Sequence, residues 1–222
     1  CFSIDAATFL LSALFIVRVR LPTDQREERR KGTRLLFGIN QMFSTTGLRR
    51  SLMLSLQVSV VGGLAIVATH GYVKNELGWP EYFYPLAMAA MGLGSMFAAL
   101  HFSHCGSAGR RNWGRVVLPL FFAVLICTAL FPSYPVLVIA WTVSGAGQGV
   151  FSVISHTLLA ENSKVAERPH FYAAQFALSH AGWGISYPQC GFLAGQHGFA
   201  TASWTCAGLL LLTLLPMLKR ST

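Results

Sequence analysis

Residues 174–191 form an apolar run that carries more proton- and hydrogen-bond-exchanging side chains than packing alone calls for. Gln175, Ser179, Gly182, Ser186 and Gln189 recur at three- and four-residue steps, so a helix places them on one face. Phe176, Leu178, Ala181 and Ile185 fall mostly off it. The amides and hydroxyls of that face can line a wet cavity or let a second helix approach closely. His180, in the same run, is ionisable where ionisable groups are rare and expensive, so it is a candidate proton carrier or substrate ligand. The alternative is a structural hydrogen bond to a neighbouring helix that helps to orient Trp183. Two other apolar runs carry similar groups: Gln148, Ser152, Ser155 and His156 in one, Gln57 and Ser59 in another. Asp5 is the only carboxylate inside a hydrophobic run and could bind a proton or a cation, or cap a helix near an interface. The expected cavity-lining set is therefore Gln57, Gln148, Ser152, Gln175, Ser179, His180 and Trp183, with Asp5 and His180 as proton-coupling candidates.

The elements that position these groups follow from composition. Of 222 residues, 53% are hydrophobic and 11% charged, against about 25% charged in a soluble domain. The deficit points to an all-α protein with a bilayer as its solvent. The net charge of +9 does not read as nucleic-acid binding, because the bases sit between hydrophobic runs and do not interleave with aromatics. The five cysteines form no Cys-x-x-Cys pair, so neither a zinc site nor a disulfide framework is indicated. No phosphate loop, nucleophile elbow or carboxylate pair is present, and no enzyme, cofactor or metal site is expected. Without a Walker sequence the chain does not itself hydrolyse ATP.

Six complete spans are predicted, over residues 52–72, 82–102, 116–131, 136–159, 170–195 and 200–218, each near the length needed to cross hydrocarbon. The run at 1–17, shorter than a span, reads as the end of a preceding transmembrane helix. Residues 18–50 read as a cytoplasmic linker, in which Leu35, Leu36, Ile39, Met42 and Phe43 recur at helical spacing and predict an amphipathic surface helix. Residues 51–222 then form the bundle. Gly145 and Gly149 mark a helix contact. Because spans alternate direction, every one of the 17 basic residues except Lys74 falls on one side. Positive loops face the cytoplasm, which orients the chain with a cytoplasmic C-terminus. The first and fourth spans are polar, the third and sixth apolar, as in two three-helix units of similar design.

A family resemblance rests on particular stretches. Ile-Asp-Ala-Ala-Thr-Phe-Leu-Leu-Ser-Ala at residues 4–13, before Arg18 and Pro22, with the linker and six spans, resembles the sixth to twelfth helices of a major facilitator superfamily transporter. Gly-Ser-Ala-Gly-Arg-Arg at 106–111 resembles that superfamily's cytoplasmic signature, although the loop holds no Asp and so carries over no charge relay. Ala-Ala-Gln-Phe-Ala-Leu-Ser-His-Ala-Gly-Trp at 173–183, with Tyr187, Pro188 and Gly191, resembles bacterial superfamily permeases that include nickel-resistance exporters. No His-rich tail like that of some of those exporters is present.

The resemblance implies a six-helix C-terminal bundle plus the end of the preceding helix, in a bacterial inner membrane. It implies a secondary transporter that exports a small molecule or metal ion by alternating access, as a proton antiporter. Its partners would be the substrate, the bilayer and a missing N-terminal half, with no nucleic acid. Cys1 stands inside a hydrophobic run, without Met, and the chain is expected to be a fragment. The alternative is a non-transporting truncated membrane protein or a helix-bundle interaction partner.

Overall fold

The computed structural model describes Leu11, Leu14, Phe15, Arg18 and residues 34–103 and 107–218, with continuous side-chain detail over 36–102 and 116–213. Asp5 lies outside the described residues, as do the side chains of Arg110, Arg111, Lys219 and Arg220. The chain divides into Cys1–Thr33 and Arg34–Thr222. In the first unit the four described residues are helical.

In the second unit every regular element among the described residues is helical. Helix α1 is Arg34–Ser44. Helix α2 runs Thr46–Glu76, α3 is Phe83–Ser103, α4 is Ser107–Leu130 and α5 is Tyr134–Glu161. The 51-residue run Arg168–Leu218 is broken at Gly198, whose φ of 84° is in the left-handed region. A side chain there would be strained, so this glycine makes the turn. It separates α6, residues 168–197, from α7, residues 199–218.

Among the described residues three helices are long and apolar enough to cross a membrane: Thr46–Glu76, Phe83–Phe102 and Tyr134–Glu161. Val116–Leu130 is a shorter apolar stretch of α4. Helix α6 has the length, but its Gln, Ser, His and Gly residues dilute its hydropathy. The fold is therefore an all-α bundle of membrane-spanning type. Helix α1, over the stretch expected to be amphipathic, buries Met42 and leaves Leu36 and Phe43 exposed. Met42 joins Leu48, Leu52, Leu159, Phe171 and Ala174 in a small core that docks α1 on α2 and α6.

Helices α3 and α5 cross at backbone distance. A Cβ on Gly145 would stand 1.9 Å from the Met91 carbonyl oxygen, and one on Gly149 2.4 Å from that of Ser95. Only a residue without a side chain fits there, and close backbone approach raises the dispersion contact that drives helix association in lipid.

Helix α2 is irregular. It contains two π segments, Leu64–Ala68 and Tyr72–Glu76. The Ile66 carbonyl in the first accepts a hydrogen bond from the Tyr84 hydroxyl at 3.2 Å. Just beyond it, the Trp141 indole N–H donates to Thr69 Oγ1 at 3.0 Å. Neighbouring helices thus supply partners where the α2 ladder changes register.

The inter-helix junctions collect at two ends. At one, the Trp79 ring stacks on Tyr134 at 5.0 Å, and the Tyr134 hydroxyl donates to the Phe83 carbonyl at 2.9 Å. Nearby the Glu76 carboxylate accepts the Phe199 N–H at 2.8 Å and caps the start of α7. Lys74 and Glu81 form an ion pair at this end, and the Lys74 hydrogen bond and charge hold the exposed Glu81 carboxyl below its usual range. At the other end α1 meets α6, where Phe37 faces Phe171 at 6.0 Å. There an Arg168 guanidinium N–H donates to the Ala160 carbonyl at 3.1 Å. Lys74 and Arg49 thus stand at opposite ends of α2, as hairpin alternation of the spans requires.

Candidate functional site

Polar side chains in an apolar bundle need partners from their own bundle, because no water is available in the hydrocarbon layer. Where α2, α5 and α6 meet, four of them satisfy one another. The Gln175 Nε2 amide donates to Ser155 Oγ at 2.6 Å and to Ser55 Oγ at 2.8 Å. Ser155 Oγ donates to the Ser51 carbonyl at 3.0 Å, and Ser51 Oγ returns a bond to the Ser155 carbonyl at 2.9 Å. Two helices therefore exchange hydroxyl-to-carbonyl bonds, and the third reaches in with an amide. Interhelical hydrogen bonds in membranes contribute about 0.6 kcal/mol each, so four of them hold this junction by roughly 2 kcal/mol. Gln175 is 6% exposed, and its Oε1 has no partner.

Beside this knot lies a cavity of about 320 Å³. Ser55 and Val58 of α2, Phe151, Ser152, Ser155 and His156 of α5, and Tyr172, Gln175, Phe176, Ser179 and Trp183 of α6 line it. The volume suits a small ligand. Among the described residues no Asp, Glu, Lys or Arg lines it. Its polar groups are hydroxyls, one amide and one imidazole, and its walls are aromatic. His156 Nδ1 lies 2.8 Å from the Ser152 carbonyl, which can only accept, so Nδ1 carries the proton of that bond. The His156 ring faces Tyr172 at 6.0 Å. Trp183 leans on α2: a Cβ on Gly62 would sit 2.2 Å from its Cη2. One turn on, Ser186 Oγ donates to the Ser59 carbonyl at 2.9 Å, so the α2–α6 seam closes there.

Ser152, Gln175, Ser179 and Trp183, among the residues anticipated from sequence, come together around this cavity. Gln57 lies across α2 from it, buried, its Nε2 donating to Thr213 Oγ1 of α7 at 3.0 Å. Gln148 is half-buried on α5, two turns from Ser155, with Nε2 unpartnered, and is not part of the lining. His180 is exposed on α6. Its Nδ1 donates to the Phe176 carbonyl at 2.9 Å and its ring lies 3.8 Å from that of Phe176. His180 and His156 therefore do not share one site. Among the described residues no group of three His, Cys, Asp or Glu side chains could hold a metal ion.

Sequence reading passed over Ser51, Ser55 and Tyr172. The signal for the first two was available: Ser51, Ser55 and Ser59 repeat at four-residue steps and mark one stripe of α2. Tyr172 sits at the entrance to its span, where an aromatic ring is unremarkable.

No curated protein and no solved structure matches the chain. A family model does. The chain is a helical bundle with spans long and apolar enough for a membrane and a polar cavity between three helices, and the family model matches residues 52–221. The chain belongs to the Major Facilitator Superfamily, a family of membrane transporters.

Proposed function

We propose that this chain is the C-terminal half of a proton-coupled exporter, and that the cavity between α2, α5 and α6 is its share of the substrate path. The observation that carries the reading is the uncharged polar lining of that cavity where three helices of a largely apolar bundle meet. The second half of the path would come from a preceding six-helix half. Rocking of the two halves about the shared cavity would expose it to each side in turn. The membrane would be a bacterial inner membrane, with the basic junctions and the C-terminus in the cytoplasm. The substrate is a small molecule or a metal ion.

For coupling, His180 offers an Nε2 lone pair, because its Nδ1 proton is committed to the Phe176 carbonyl. Asp5 is the second candidate. The reading is tested by efflux from vesicles holding the full-length protein, with and without an imposed proton gradient. Flux that follows the gradient supports coupling, and gradient-independent flux excludes it. His180→Ala should reduce gradient-driven flux; unchanged flux removes His180 from the mechanism.

A further inference from the structure

Away from that cavity, α6 and α7 bring together the two buried thiols of the bundle's described residues. Cys190 and Cys206 are 16 positions apart across the Gly198 turn, and their sulfurs are 3.5 Å apart. Each residue is 1% exposed. The Val60 carbonyl of α2 lies 3.9 Å from Cys206 Sγ. The surroundings are otherwise hydrophobic core, including Val61, Leu64, Ala202 and Leu210. Nothing in the transport reading uses this pair.

Two adjacent thiols in an apolar pocket select their ligand by charge and angle. Zinc wants four ligands, and among the described residues no third His, Cys, Asp or Glu joins the pair. A soft monovalent cation held by two thiolates would leave a net negative charge buried in apolar surroundings, which is costly. A linear two-coordinate centre needs its sulfurs on opposite sides, farther apart than van der Waals contact. A trivalent arsenic centre meets both demands: with one organic substituent and two sulfurs it is neutral, and its pyramidal geometry keeps the sulfurs side by side.

We propose that Cys190 and Cys206 form a dithiol site that captures trivalent organoarsenicals and bridges α6 to α7. With an arsenoxide the step balances without oxidant: two S–H bonds and the arsenic–oxygen bond break, two arsenic–sulfur bonds form, and one water leaves with both thiol protons. A cavity of about 290 Å³ lies between α2, α6 and α7, and neither cysteine is in its lining; in the proposal the reagent enters there and local side-chain movement admits it to the sulfurs. Of its lining residues, Val60 has its carbonyl 3.9 Å from Cys206 Sγ, and Ser186, Gln189 and Leu209 stand within about one helical turn in sequence of one thiol or the other. An uncharged reagent can reach it from the hydrocarbon phase. Once bridged, α6 and α7 cannot slide past each other.

The test uses phenylarsine oxide on the purified chain in which Cys1, Cys105 and Cys127 are each replaced by Ser, read by intact mass after a monothiol wash. One phenylarsenic group per chain should remain and should leave on addition of ethanedithiol. Cys190→Ser and Cys206→Ser, added singly, should each abolish retention. No retention in the triple variant, or retention that survives either added substitution, overturns the proposal. Peptide mapping of the arsenical adduct on the unmodified chain is the second measurement, and arsenic bridging any other pair of cysteines overturns it as well.

Discussion

One stripe of α5 behaves in two ways along its length. Thr142, Gly145, Gly149, Ser152 and His156 follow at three- and four-residue steps and share a face. Over its first stretch the stripe is pressed on α3, with Met91 and Ser95 backbone atoms where side chains would be. Over its second stretch Ser152 and His156 are exposed and line the cavity. The difference is one of side-chain volume and polarity. Glycines let two backbones close and exclude everything else, whereas a hydroxyl and an imidazole met by α2 and α6 side chains, not by another backbone, leave space that a ligand can use. A transporter needs both: a rigid seam to move as a body, and an open one to receive cargo.

The comparison can be broken most forcefully at the closed end. Gly145→Leu should separate α3 from α5 and abolish the folded bundle. Gly145→Ala should cost about 1–3 kcal/mol, the usual penalty for overpacking. Ser152→Leu, seven residues along the same stripe, should change stability by less than about 0.5 kcal/mol. Thermal unfolding in detergent, followed by helical circular dichroism, measures all three; equal losses at the two positions would erase the contrast.

A smaller effect is expected at the knot. Gln175→Leu leaves Ser55 and Ser155 without their amide donor and should cost about 1 kcal/mol by the same assay. Its effect on vesicle flux should exceed what that loss of stability explains. The contrast can also be sharpened without destabilising anything. Ser152→Cys should react readily with a water-soluble maleimide, and Ser144→Cys, at a fully buried position two turns away, should react only after unfolding.

The smallest effect belongs to the exposed Lys74–Glu81 pair. Because Lys74 lowers the Glu81 pKa, the pair favours the folded state above the ordinary carboxylate pKa. That contribution is lost as pH falls through the lowered value. Lys74→Met should return the Glu81 titration toward its ordinary range, seen by NMR, and barely move the unfolding midpoint at neutral pH.

Much of this was legible in the residues themselves. Hydrophobic length and glycine placement announce helical spans and tight crossings, because the first reflects transfer of a segment into lipid and the second the room a backbone leaves for its neighbour. Gly198 is an example: the break could be placed at the Gln-His-Gly sequence before any fold was known. The polar face of α6 could be drawn from spacing alone. Its partners could not. Gln57 and Ser55 are two residues apart, so α2 turns them to nearly opposite sides. One reaches Thr213 on α7, and the other joins the knot at Gln175. The π segments of α2 were also invisible, since a change of ladder register depends on donors such as Tyr84 that another helix brings.

From its order of residues alone, this chain is committed to lipid, to helices and to which stripe of each helix is polar, because those properties depend on transfer energies and on a periodicity local to each segment. Which stripes meet, which amide closes on which hydroxyls, and that two distant thiols touch were decided only when the helices packed. These depend on rotation and depth of whole rods against one another, quantities that no single segment encodes.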